Sequence, residues 1–114
     1  MMNVPNWMDS FPGSITVCDE DGIILYMNDA SAKLFEDDGG RALIGSQVLD
    51  CHPGAARAML DEMLATQKPN LYTVENDGQR KQIYQTPWYE DGAYRGFVEI
   101  VMPLPVDMTH IKRS

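Results

Sequence analysis

"LYTVENDGQRKQIYQTPWYEDGAYRGFVEIVM", residues 71–102, decides the fold. Three runs rich in β-branched and aromatic residues are separated by Asn-Asp-Gly-Gln and Glu-Asp-Gly. An Asp-Gly pair between two such runs is a strong hairpin signal, because a tight primed turn demands positive φ at both central residues. The segment is therefore expected to form three antiparallel strands. In the last of them Val98, Ile100 and Met102 fall on one face, and Phe97, Glu99 and Val101 on the other. Pro87 has no N–H for a ladder, so the middle strand should meet an edge or a bulge there.

Upstream, "SITVC" (14–18) alternates Ile15 and Val17 with Thr16 and Cys18. "DEDG" then turns the chain into "IILYMN" (23–28), a second strand of a hairpin. From Asp29 the period changes. "DASAKLF" is a short helical stretch with Asp29 near its cap, "EDDGG" is a polar break, and "RALIG" is one further helical turn. In "LDCHPGAARAML" (49–60), Pro53 suits the first helical position, where its missing N–H is not needed. Ala56, Met59, Leu60, Met63 and Leu64 then recur three and four apart, on one face of a helix running to about Gln67. "QKPN" stops it. Two strands, a helical middle and three strands make an α+β domain, with helices on one face of an antiparallel sheet.

A chain of 114 residues accommodates one small core. The formal net charge of -8 repels phosphate backbones and anionic lipid, so neither nucleic acid nor membrane is an expected partner. No apolar run reaches the roughly 20 residues that span a bilayer, and the first ten residues lack a secretory layout. Two cysteines, Cys18 and Cys51, make no disulfide scaffold and fit a reduced, cytoplasmic setting. Val4, Trp7, Met8 and Phe11 sit at i, i+3, i+4 and i+7, so residues 1–12 read as an amphipathic cap helix. Its stripe serves either as a cover for the domain's own sheet or as a surface shared with a second subunit. A homodimer through this helix and the sheet is the corresponding expectation. "PLPVDMTHIKRS" leaves through two prolines, and residues 107–114 read as the start of a linker to an output domain.

Taken in order, "SITVCDEDGIILYMNDASAKLF" and "TPWYEDGAYRGFVEIVMPLPVDMT" resemble the PAS (sensory box) family. The first resembles its opening of strand, Asp-Gly turn, strand, Asn and short helix. The second resembles its close, down to the trailing Asp107-x-Thr109. The resemblance implies a PAS fold over residues 13–106: a five-stranded antiparallel sheet in order 2-1-5-4-3, helices over one face, and a pocket between. It also implies a cytoplasmic sensory or dimerisation module rather than an enzyme. Such a module relays a change of state to a kinase of a two-component system, a cyclase or a transcription regulator.

The resemblance admits heme, with His52 as axial ligand to the iron, since imidazole is a natural iron ligand. Next to Pro53, however, His52 reads as a helix-start residue more readily than as a ligand. Candidate pocket residues are His52, Ala56, Met59, Met63 and Tyr84. Packing alone accounts for the two methionines, and Tyr84, with Trp88 and Tyr94, reads first as a sheet-surface aromatic. A flavin is not expected, because the Asn-Cys-Arg-Phe-Leu-Gln stretch of the photoreceptor branch is missing. No phosphate-cradling glycine loop or nucleophile motif marks a catalytic centre. Two functions follow: a sensor holding a small ligand under the long helix, with heme as its narrower form, or a ligand-free interaction module. A space of about 300 Å³ or more separates the first from the second.

Overall fold

The computed structural model describes residues 3–51 and 54–114. In chain order it contains a short helix α1 (Asn6–Ser10), strands β1 (Ser14–Asp19) and β2 (Ile24–Met27), and helix α2 (Asp29–Leu34). Three 3-10 turns follow, at Glu36–Asp38, Gly40–Leu43 and Val48–Cys51. Helix α3 (Gly54–Thr66) then leads into β3 (Asn70–Asn76), β4 (Gln79–Glu90) and β5 (Ala93–Pro103). All strand pairs are antiparallel, and the five form one sheet in the order β2-β1-β5-β4-β3. This is the expected α+β PAS topology.

The turns follow from the residues in them. Asp77 (φ 52°) with Gly78 (φ 76°), and Asp91 (φ 51°) with Gly92 (φ 79°), carry positive φ at both central positions, as two-residue primed turns require. Asp19 works differently. Its Oδ1 accepts hydrogen bonds from the Asp21 and Ile23 amides, both at 2.9 Å, closing a side-chain-supported turn. β3 pairs with β4 only from Asn76 opposite Gln79 to Asn70 opposite Gln85. Pro87 lies past that point, where β4 pairs with β5 alone, opposite Phe97, and the register of β4 on β5 shifts just beyond it, between Trp88 and Tyr89.

The two faces of the sheet carry separate cores. Toward α3, Cys18, Ile24, Met27, Val48, Leu60, Met63 and Phe97 form one buried cluster. Burying the Leu60 and Met63 side chains stabilises the docking of α3 by roughly 1.5–3 kcal/mol each. On the other face Ile15, Val17 and Tyr26 are buried beneath Val4, Met8 and Phe11, with Trp88, Val98 and Ile100 alongside. The helices are thus not all on one face: α1 covers the outer side of the sheet while α2 and α3 take the inner. β1 is buried on both sides as a result. The edge strand β2 is shielded by the loop that follows α2, through Ile24 N–H to the Ser46 carbonyl (3.0 Å) and Gly45 N–H to the Ile24 carbonyl (2.8 Å).

Gly96 packs tightly against the neighbouring strand β1. With φ at 146°, a Cβ there would lie 2.0 Å from the Cys18 carbonyl oxygen. Trp88, opposite Gly96 across β4 and β5, donates its indole N–H to that same oxygen at 3.0 Å. The glycine after an aromatic in "AYRGF" therefore answers a steric demand of the strand packing.

Candidate ligand-binding groove

Register assigns the inner face. Thr16 opposes Glu99 and Ser14 opposes Val101; Gln85 opposes Glu99 and Ile83 opposes Val101; Asn70 and Tyr72 oppose Gln85 and Ile83 in turn. Side chains alternate across a sheet, so these residues line the side that α3 covers. At the β1 and β2 end the interior is filled. Phe97, Met27, Leu60 and Met63 are fully buried, and the space left among Thr16, Ile24, Met27, Phe35, Leu43, Val48 and Glu99 is about 10 Å³. That is room for about one water molecule.

At the β3 and β4 end the packing opens. A groove of about 330 Å³ is lined by Leu34, Phe35, Ala56, Val74, Ile83 and Val101, with Tyr72, Asn76, Asp38, Lys81 and Glu99 as its polar members. One of its lining residues, Glu99, belongs to a chain of side-chain hydrogen bonds on the inner face of the sheet. Asn70 Nδ2 donates to Gln85 Oε1 (2.9 Å), and Gln85 Nε2 donates to Glu99 Oε2 (2.7 Å). Asn70 Nδ2 also donates to the Met59 carbonyl (3.0 Å), which fastens the middle of α3 to β3. Gln85 is fully buried and Glu99 is 4% exposed. Burial first, and then the nearby Glu99 carboxylate, push the Tyr72 phenol up, opposed by its hydrogen bond with Gln85.

The expected site residues separate on these coordinates. Ala56 lines the groove. Met63 is buried in the inner core beside it. Met59 is only half-buried and lies outside that cluster, so its contribution is the carbonyl that receives Asn70. Tyr84 is corrected: it opposes Ile100 on the outer face, 38% exposed, and cannot reach the groove through the sheet. His52 lies outside the described residues, as does Pro53. The residues that do line the groove, among them Phe35, Tyr72, Ile83 and Glu99, were visible in the sequence only as alternating members of strands or the end of a helix. Their signal is Glu99, a charged residue in a register whose neighbours Phe97 and Val101 are both apolar.

A family profile described as the PAS fold matches residues 8–104. The chain belongs to the PAS family. Among solved structures, the PAS domain of Bordetella pertussis BvgS aligns with a TM-score of 0.63 at 21% identity, covering 86% of this chain and 81% of that one. A sensory box sensor histidine kinase from Vibrio cholerae aligns at 0.60 and 17%, covering 87% of each. The Vibrio cholerae Aer2 receptor, described as a dual PAS-heme oxygen sensor, aligns at 0.65 and 15%, covering 82% of this chain and 95% of that one. These likenesses concern the PAS fold. None of the curated proteins matches the chain.

Heme would make its own demands on such a groove. Among its described lining residues there is no imidazole or thioether, and the charged groups are the carboxyls of Asp38 and Glu99 and one ammonium, Lys81. An iron asks for an imidazole or thioether, and His52, the expected axial ligand, lies outside the described residues. Among the described residues no three His, Cys, Asp or Glu side chains gather as a metal site, and no helix is long and apolar enough to cross a membrane.

Proposed function

We propose that this PAS domain is a sensory module that takes a small organic ligand into the groove between α3 and strands β3 to β5. It then passes the change along β5 to the segment after Pro103. The observation that carries this is the groove itself. Its volume of about 330 Å³ reaches the lower range of small-molecule sites, which combine apolar walls with a few placed polar groups. Relay through β5 is supported by connectivity, since Glu99 and Val101 line the groove and the strand ends at Pro103. There the Leu104 N–H donates to the Arg80 carbonyl at 2.8 Å. A ligand that binds one arrangement of that junction better than another shifts the population between them. The output domain served is a kinase, cyclase or transcription regulator, the setting a cytoplasmic one, and the chain itself regulatory rather than catalytic.

The test is a titration of the chain with 1-hexanol, followed by amide chemical shifts. Shifts should gather at Ala56, Tyr72, Ile83 and Val101, extend to Leu104, and vanish in Ala56→Trp, which fills the groove. Shifts centred elsewhere, or unchanged by the substitution, overturn the reading.

A second reading, a self-associating module, is favoured by the outer face. Leu71 (64% exposed), Tyr84 and Met102 (each 38%) form an apolar band across β3, β4 and β5. Trp7 (61%) projects from α1, stacked edge-on against Phe11. Both functions can reside in one domain, because they use opposite faces of the sheet.

A further inference from the structure

From the cavity that adjoins the groove we infer that the ligand is a carboxylate with an apolar body, its anionic head held by Lys81, Ser14 and Gln79. This inference rests on the groove being the ligand site and adds the chemical class. Three observations carry it. First, the groove continues into a second space. A cavity of about 250 Å³ shares Leu34, Lys81 and Val101 with the groove. It lies where the chain enters and leaves the sheet, since Pro12, just before β1, and Pro103, the last residue of β5, also line it. A ligand whose apolar part fills the groove therefore has a separate place for its head.

Second, the two spaces differ in charge. Asp38 and Glu99 line the groove alone, whereas Lys81 is the one charged residue among the described lining of the second cavity. The other polar members there are Ser14 and Gln79, so hydroxyl, amide and ammonium can all donate. Ser14 opposes Val101 on one side of β5, and Lys81 opposes Pro103 on the other. The donors thus approach from both sides of one strand. Two carboxylate oxygens can accept from such a set, and the charged donor binds them most strongly.

Third, the two principal donors are not used within the domain. Ser14 is 5% exposed, and its hydroxyl makes no hydrogen bond among the described residues. A buried polar group in that condition calls for a partner. Lys81 enters no ion pair among the described residues, whereas its neighbour Arg80 pairs with Glu75. The net charge of -8 opposes an anion at long range, but salt screens that repulsion over about 10 Å at 0.1 M, and the contact with Lys81 is direct.

The experiment holds the body constant and changes the head: hexanoate, 1-hexanol and hexylamine are titrated into the full chain at neutral pH and followed by amide chemical shift. Hexanoate should bind at least about tenfold more tightly than either of the others, the weight of one hydrogen bond to a charged group. It should also move the Ser14, Gln79 and Lys81 amides. Lys81→Met keeps the aliphatic stem and disturbs neither core cluster, so the variant should fold. It should weaken hexanoate about tenfold and leave 1-hexanol within about threefold, while Lys81→Arg should retain the preference. Hexylamine or 1-hexanol binding as tightly as hexanoate, or Lys81→Met leaving the order intact, overturns the carboxylate assignment while 1-hexanol shifts at Ala56 and Tyr72 still mark the groove as a site. If none of the three perturbs the groove, the site itself is overturned along with the class.

Discussion

The side chain of Asn28 is buried completely, and its bonds join β1, α2 and the N-terminal segment. Its Oδ1 accepts from the Ile15 amide (2.9 Å) and, as the cap of α2, from the Ser31 amide (3.0 Å). Its Nδ2 donates to the carbonyls of Met8 (3.0 Å) and Gly13 (2.9 Å). The sequence placed a strand before this residue and a helix after it, with the neighbouring Asp29 near the cap. It carried no sign that the amide also holds the N-terminal segment, because those partners are backbone carbonyls that any residue supplies. Tyr26 fastens the same segment by donating its hydroxyl to Asp9 Oδ1 at 2.5 Å. Burial, then that hydrogen bond and the Asp9 charge, raise the phenol from 10.0 to about 12. The folded state thus keeps the proton after the unfolded chain has released it. The associated stability is whole below pH 10 and is lost as pH climbs from 10 toward about 12. Thermal unfolding across that interval should show a falling Tm, and Tyr26→Phe should make the fall shallower. Tyr72 and Tyr94, raised in the same direction chiefly by burial, keep the remainder. Equal slopes in the two proteins would rule the latch out.

Helix α3 shows both what periodicity reveals and where it stops. Spacing of three and four picks out Ala56, Met59, Leu60, Met63 and Leu64, an arc wider than the line the sheet covers. Only Leu60 (0% exposed) and Met63 (2%) are buried; Ala56 opens onto the groove, Leu64 packs on the margin of the core, and Met59 stays half-buried. The distinction depends on the angle at which α3 crosses the strands, which no local pattern encodes. The strands raise the same limit in another form. Alternation sorts Tyr84 and Gln85 onto opposite faces, yet only the order β2-β1-β5-β4-β3 says which face meets α3. Hence the fold was readable from its turns and alternations, whereas the groove, assembled from α2, α3 and three strands, shares only Ala56 with the expected pocket residues. Two methionines of equal volume on one helix give a direct measure. Met63→Ala should cost about 2–5 kcal/mol, as large-to-small changes in a filled core do. Met59→Ala should stay within about 1 kcal/mol, since its fastening group is a carbonyl the substitution retains. Urea unfolding of both variants checks the pair, and similar losses would mean that α3 is rotated from the packing described.

At the scale of the molecule, the inner face of the sheet is spent on α2, α3 and the groove, and α1 covers only the β1 and β2 end of the outer face. Val4, Met8 and Phe11 turn down onto it. The expected stripe therefore divides: three of its members cover the domain's own sheet, while Trp7 faces away, 61% exposed. The band of Leu71, Tyr84 and Met102 lies on the same outer face, and apolar surface of this kind is commonly covered in the working assembly. A second copy is the occupant that needs no further component. Pairing outer faces about a two-fold axis sets Trp7 and Tyr84 in the contact twice, and aromatic anchors of this type dominate interface energetics. Opposing this is the charge of -8 on each chain, a repulsion that salt screens over about 10 Å at 0.1 M. Two consequences are measurable together. Sedimentation equilibrium should show a dimer whose association strengthens with added salt, the reverse of a contact built on ion pairs. Replacing Trp7 and Tyr84 with Glu should yield a monomer with the wild-type Tm apart from the loss due to dissociation, because neither side chain belongs to a core cluster. A wild type that sediments as a monomer at every salt concentration, or a double variant of unchanged mass, would assign the band to some other partner and leave the groove as the domain's only working surface.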